Sequence, residues 1–146
     1  MIKDGALKYV DEVYGIHNWP GGIEGSISVS KKEMMAGVVI VNIKITGRGG
    51  HGSEPANSID PITAGTFVHT ALHTIKSWKI LNNQVVAFTL CEFKSGSTMN
   101  VIPDSCKMNE TIWYFDFELR DKVMAEIESI AKLTAQAHGC EALVSF

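Results

Sequence analysis

A histidine enclosed by glycines is the part of this sequence best suited to chemistry. Residues 47–53 read Gly-Arg-Gly-Gly-His-Gly-Ser, and the histidine is His51. Glycine adopts backbone angles that other residues avoid and lets a partner come close, so the imidazole of His51 should be exposed and able to reach a substrate or a second subunit. A glycine-rich turn with an incidental histidine is the alternative, and the loop taken alone favours neither interpretation.

Two further blocks carry polar side chains that could bind ligands. His17 lies in a block, residues 14–21, that reads Tyr-Gly-Ile-His-Asn-Trp-Pro-Gly, and it follows a strand-like stretch whose end is a common place for ligands. Asn100 begins the block Asn-Val-Ile-Pro-Asp, residues 100–104. Its amide offers a donor and an acceptor, which suits an acyl-amino acid. The simpler alternatives are a structural histidine and a turn-forming asparagine.

Together with the Phe-Asp-Phe-Glu-Leu-Arg block at residues 115–120, these blocks resemble the peptidase M20 superfamily, in particular its amidohydrolase branch. That branch includes hippurate hydrolases, N-acyl-amino-acid amidohydrolases and auxin-conjugate hydrolases. The resemblance runs over nearly the whole chain. It implies that residues 1–36 are the last piece of the first catalytic-domain segment, and that residues 37–146 are a lid inserted into that domain.

The resemblance also implies roles for individual residues. His17 would bind one of two divalent metal ions, zinc or manganese, in a complete enzyme that hydrolyses the amide bond of N-acyl-amino acids. His51 would stabilise the oxyanion formed when a metal-bridging water attacks the acyl carbonyl, on its own subunit or across a dimer. Asn100, with Gly49 and Gly50, would contact the substrate. Relatives of this kind often dimerise through the lid, which makes a homodimer the expected assembly.

Most of the catalytic half of such an enzyme is missing from the sequence. It contains no Cys-x-His-Asp-x-His motif, no adjacent Glu-Glu pair and no metal-binding histidine after the lid. One imidazole cannot supply the three or four protein ligands of a catalytic metal site. We therefore expect a fragment or truncated product that is inactive alone and holds no metal stably. A standalone module for self-association or regulation is the alternative function.

One position departs from the family pattern in a way that bears on the substrate. Relatives commonly read Gly-Thr-Val-Arg-Thr-Phe-Asp where residues 110–116 read Glu-Thr-Ile-Trp-Tyr-Phe-Asp, so Trp113 replaces an arginine. If that arginine binds a substrate carboxylate, a cation has been lost. A different substrate, an apolar acyl group packed on the indole, or decayed activity would each fit.

Composition excludes several other classes of protein. The chain has 146 residues, of which 45% are hydrophobic and 20% charged, enough to bury one core. A net charge of −3 with scattered Lys and Arg argues against a nucleic-acid partner. The absence of a long apolar run or signal peptide argues against a membrane partner and favours a cytoplasmic protein. Three widely spaced cysteines predict buried thiols, and His69 with His73 predicts a solvated helix face.

Hydrophobic periodicity predicts the elements that position these residues. Alternating apolar residues predict strands at 38–46, 85–93, 104–115 and 140–146. Asp60 and Pro61 begin a helix that should run to about Trp78, and Asp116 begins a second helix that Gly139 ends. In that second helix we expect Leu119, Val123, Ile127, Ile130 and Thr134 to face the core.

The order strand, helix, strand, strand, helix, strand indicates an α+β fold of the ferredoxin-like type. In this fold a four-stranded antiparallel sheet carries both helices on one face. The family resemblance implies the same lid fold. An exposed sheet edge invites pairing with a second copy of the chain.

Overall fold

The computed structural model describes residues 1–146, which form two compact units, Met1–Lys31 and Lys32–Phe146. The first unit contains a short 3₁₀ helix, Ile2–Asp4, and no strand. The expectation that His17 follows a strand was therefore wrong. A strand needs a neighbouring strand to satisfy its backbone groups, and this unit has none.

The second unit contains the sheet and the helices. The four long strands are β1 (Gly37–Thr46), β3 (Val86–Ser95), β5 (Ser105–Tyr114) and β6 (Glu141–Ser145). Two short strands form a separate ribbon, β2 (Gly50–His51) and β4 (Val101–Ile102). The helices are α1 (Pro61–Leu72), α2 (Thr74–Trp78) and α3 (Phe117–Ala137), and a 3₁₀ helix spans Pro55–Asn57.

The long strands lie in the order β3-β5-β1-β6, and every neighbouring pair is antiparallel. This arrangement confirms the predicted α+β, ferredoxin-like fold. Along β1, Val41, Ile43 and Ile45 are buried whereas Lys44 and Thr46 are exposed. Helices α1 and α3 therefore cover one face of the sheet and leave the other face to solvent.

Both helix starts match the predicted capping residues. The Asp60 carboxylate accepts hydrogen bonds from the amides of Ile62 and Thr63 at 2.9 and 3.3 Å, and Asp116 accepts one from Leu119 at 2.9 Å. The helix predicted to continue to Trp78 is instead interrupted between α1 and α2. There the Thr74 hydroxyl donates to the Ala71 carbonyl at 2.6 Å, an example of a side chain competing with helical backbone bonding.

The inner face of α3 follows the predicted stripe at first and then departs from it. Its fully buried positions include Ala131 and Ala135, whereas Ile130 and Thr134 lie at the margin and are half-buried. Steps of four residues from Ile127 continue the stripe through the two alanines. Their small side chains allow a close approach that a larger residue would prevent.

Two of the three cysteines are buried in the fold. Cys106 and Cys140 are buried as predicted, but Cys91 is exposed because it lies at a bulge in the edge strand β3, between Leu90 and Glu92. No helix is both long enough and apolar enough to cross a bilayer. The cytoplasmic location stays a prediction.

Candidate functional site

A two-stranded ribbon brings His51 and Asn100 together at one end of the sheet. Strands β2 and β4 pair antiparallel with His51 opposite Val101, and the Gly52 amide donates to the Asn100 carbonyl at 2.8 Å. The ribbon follows the end of β1 and precedes the start of β5. Two predicted site residues from distant parts of the sequence are thus neighbours.

The glycines that precede His51 pack closely against their own chain. A Cβ on Gly49 would lie 2.5 Å from the Ile102 carbonyl oxygen, and one on Gly50 would lie 2.3 Å from the Ser58 hydroxyl. The Gly49 amide also donates to the Asp104 carboxylate at 2.9 Å. A larger residue at Gly49 would therefore clash with the backbone of Ile102, whereas at Gly50 it would displace the Ser58 side chain. Contact of Gly49 and Gly50 with substrate stays a prediction.

The His51 ring is exposed, and one of its two nitrogens is hydrogen-bonded within the chain. Nδ1 lies 2.7 Å from the Ser53 hydroxyl, and the Ser53 amide donates to the same nitrogen at 3.2 Å. A backbone amide can only donate, so Nδ1 must be the acceptor. In the neutral ring the proton then resides on Nε2, which remains free to donate a hydrogen bond to a ligand.

The Asn100 side chain is exposed at the end of the same ribbon, where Asn100 lies opposite Gly52. Its Oδ1 atom accepts a hydrogen bond from the Thr98 hydroxyl at 3.2 Å. The Nδ2 group donates to no protein atom. His51 and Asn100 can therefore each offer an N–H donor to a carbonyl or carboxylate.

His17 has the opposite arrangement from His51. Its Nδ1 lies 2.6 Å from the Asn18 carbonyl oxygen, which can only accept, so Nδ1 carries the proton and Nε2 keeps a free lone pair. A histidine that binds a metal typically donates its other N–H in this way. The chain nevertheless contains no cluster of three or more His, Cys, Asp or Glu residues that could hold a metal ion. His17 could therefore supply one ligand to a metal ion, but the residues of this chain do not form a complete metal centre.

Comparison with known families identifies the second unit. Residues 35–138 match the family described as the peptidase dimerisation domain of M20 peptidases. The chain belongs to this family. Its relatives place it in the amidohydrolase branch, as the motif blocks predicted.

Two curated relatives and one solved structure illustrate what the M20 domain is similar to. The chain is 33% identical over 142 residues to an N-acetylcysteine deacetylase from Bacillus subtilis and 34% identical over 143 residues to a hippurate hydrolase from Campylobacter jejuni. Each alignment covers 97% of this chain but 37% of the relative. The crystal structure of the Bacillus subtilis YXEP protein, described as a dinuclear metal binding peptidase of the M20 family, matches with a TM-score of 0.72 at 26% identity. That match covers 99% of this chain and 35% of the other.

Trp113, the M20 domain's departure from the family pattern, lies far from His51. It pairs with Val38 at the start of β1, whereas the ribbon follows Thr46 at the end of the same strand. The two ends are eight residues apart along β1, a distance of about 26 Å at about 3.3 Å per residue. Trp113 therefore lies at the opposite end of the sheet from the ribbon that carries His51.

The sequence reasoning missed Glu110, which is 1% exposed in the middle of β5. It faces the core between Met108 and Ile112, and neither carboxylate oxygen has a hydrogen-bond partner. Burial raises the pKa of this carboxyl to about 7. The sequence contained a signal for this burial. Side chains two residues apart along a strand lie on the same face, so a pattern that buries Met108 and Ile112 also buries Glu110. It also stands where the family pattern has glycine.

The pair of histidines on α1 adds no metal site to the M20 domain. The rings of His69 and His73 meet edge to face with centroids 4.6 Å apart. Burial lowers the pKa of His69, and the nearby His73 lowers it further. His73 is exposed, and His69 is half-buried. No carboxylate or cysteine completes a metal cluster with them.

Proposed function

We propose that this chain is the lid and dimerisation region of a metal-dependent amidohydrolase that hydrolyses the amide bond of N-acyl-amino acids. The observation that supports this most directly is the pairing of His51 and Asn100 on one ribbon, with two side-chain N–H donors free for a ligand. The relatives named as a deacetylase of N-acetylcysteine and a hydrolase of hippurate both act on substrates of this class.

In this proposal His51 acts on the acyl carbonyl. Its Nε2–H group donates to the carbonyl oxygen as negative charge develops there, and a donor of this kind typically contributes about 3 kcal/mol to lowering the barrier. Asn100 donates from Nδ2 to a substrate carbonyl or carboxylate, while Thr98 holds its oxygen. Gly49 and Gly50 border the substrate, and their lack of side chains keeps the ribbon in place.

The proposed division of the chain is a catalytic-domain piece at residues 1–36 and the lid at residues 37–146. His17 is proposed as one ligand of two divalent metal ions, zinc or manganese, with Nε2 as its ligand atom. When bound, such ions activate the attacking water. The remaining ligands and the general base lie outside this sequence, so the 146-residue chain should be inactive alone.

The separation of Trp113 and His51 supports a homodimer. If both contact one substrate, they must come from different subunits, because about 26 Å of strand separates them within a chain. The outer edges of β3 and β6 pair with no other strand and are available for association. We therefore propose a homodimer in which His51 acts across the subunit boundary.

The test compares the isolated chain with the complete enzyme that contains it. We expect the isolated chain to show no hydrolysis of a hippurate-type substrate at any divalent metal concentration. In the complete enzyme, His51→Ala should lower kcat about 10²- to 10³-fold with little change in KM. The matched control is His73→Ala, which removes an exposed histidine from the junction of α1 and α2 and should leave kcat unchanged. Activity of the isolated chain, or full activity of the His51 variant, would contradict the proposal.

A standalone module for self-association or regulation remains the second candidate. It is favoured by the second unit, Lys32–Phe146, which encloses a hydrophobic core of its own. Adding the isolated chain to the complete enzyme distinguishes the two functions by the activity of the complete enzyme. A lid that only dimerises also forms mixed dimers, so the formation of mixed dimers fits both functions. A changed activity would support a regulatory module, and an unchanged activity would exclude it.

A further inference from the structure

Ser53 is the residue that contacts the His51 ring, and it does so twice. Its hydroxyl lies 2.7 Å from Nδ1, and its backbone amide donates to Nδ1 at 3.2 Å. A neutral imidazole carries one proton, which can reside on either nitrogen, and the partner of one nitrogen determines the choice. Both Ser53 groups can donate, and the amide cannot accept.

The backbone around Ser53 keeps these donors in place. The Glu54 amide donates to the His51 carbonyl at 2.9 Å, which closes a tight turn, and the Gly52 amide is bonded to Asn100 across the ribbon. Ser53 lies between these two anchored residues. Its amide is therefore directed at the ring by the turn itself, not by a flexible side chain.

We propose that Ser53 is a positioning residue that holds the proton of neutral His51 on Nε2. The catalytic value of this arrangement rests on the proposed function, in which Nε2–H donates to the oxyanion. A proton on Nδ1 would leave Nε2 as an acceptor, and an acceptor repels a developing negative charge. Ser53 thus makes the ring a donor before substrate arrives.

His17 provides an internal comparison, because its expected tautomer is the opposite of that of His51. Its Nδ1 faces the Asn18 carbonyl, an obligate acceptor, so its proton belongs on Nδ1. Two exposed histidines in one molecule should therefore have opposite tautomers, each set by an atom one or two residues along the chain. No metal or substrate is needed to observe this difference.

The decisive experiment is nitrogen NMR on the isolated chain with ¹⁵N-labelled histidine, at a pH where imidazoles are neutral. The reference is a short peptide with the sequence of residues 47–55, which has the same neighbours but lacks the ribbon. We expect the ratio of Nε2–H to Nδ1–H at His51 to exceed that of the peptide by about fivefold, the factor that one net hydrogen bond typically supplies. His17 should carry its proton on Nδ1.

Three variants separate the two donors of Ser53. Ser53→Thr keeps both and should retain the ratio, Ser53→Ala removes the hydroxyl and should lower it, and Ser53→Pro removes the amide N–H and should lower it. A wild-type ratio equal to that of the peptide would overturn the proposal, even if no variant folds. So would an unchanged ratio in both the Ala and the Pro variants.

Kinetics of the complete enzyme then test the consequence. Ser53→Ala should lower kcat about tenfold with KM nearly unchanged, as loss of a residue that orients a catalytic group typically does, and Ser53→Thr should restore it. If the tautomer is fixed but kcat does not respond, the positioning role stands and the assignment of His51 as the oxyanion donor fails. If the tautomer is not fixed, the positioning role fails whatever the activity.

Discussion

Replacing Glu110 with glutamine should remove a pH dependence of stability that the buried carboxyl imposes on the protein. The side chain is 1% exposed, and its two oxygens have no partner, so ionisation places an unpaired charge in the core. Burial is the cause of its raised pKa. Glutamine has nearly the same shape and cannot ionise.

The size of the effect follows from the pKa values. The pKa of Glu110 rises from 4.5 to about 7 on folding. At about 1.36 kcal/mol for each pH unit, this difference corresponds to about 3 kcal/mol. Because the folded-state pKa is the higher one, Glu110 does not destabilise the protein below about pH 4.5 and destabilises it increasingly as the pH rises towards about 7. Above that pH the loss is complete and constant.

Urea unfolding of the isolated chain, followed by tryptophan fluorescence, measures this loss. The free energies of unfolding of the wild type and of Glu110→Gln should be close at about pH 4.5, and the variant should be more stable by about 3 kcal/mol at about pH 8. The control is Glu141→Gln on β6, which removes an exposed carboxylate and should preserve the wild-type pH dependence. Equal pH dependence in the wild type and the Glu110 variant would show that the carboxyl is not buried as described.

The remaining predictions concern the glycine loop and the solvent face of the sheet. Gly49→Ala should destabilise the protein by about 1–3 kcal/mol in thermal or urea unfolding, because its Cβ would lie 2.5 Å from the Ile102 carbonyl, whereas Gly96→Ala, where only the backbone angle is unfavourable, should cost less. Lys107→Glu should stabilise the sheet by about 0.2–1 kcal/mol at low salt, because Lys107 lies directly between Lys44 and Lys94 on the solvent face. That gain should shrink in about 1 M salt, and a gain independent of salt would contradict its electrostatic origin.

Local patterns in the sequence were sufficient to predict the architecture. The alternation in β1 identifies the buried face of the sheet, and Asp60 and Asp116 mark both helix starts, because capping and periodicity depend on residues a few positions apart. The ordered motif blocks, and not any one residue, were sufficient to predict the M20 family, which the match over residues 35–138 confirms.

Tertiary structure determined the features that depend on contacts between segments distant in the sequence. Strand pairing places Asn100 beside His51 and puts Trp113 at the other end of the sheet, and no local pattern contains that register. Sequence periodicity thus determined which side of each element is buried, whereas only the folded backbone determined which side chains share a site, because hydrogen-bond register is a property of pairs of strands.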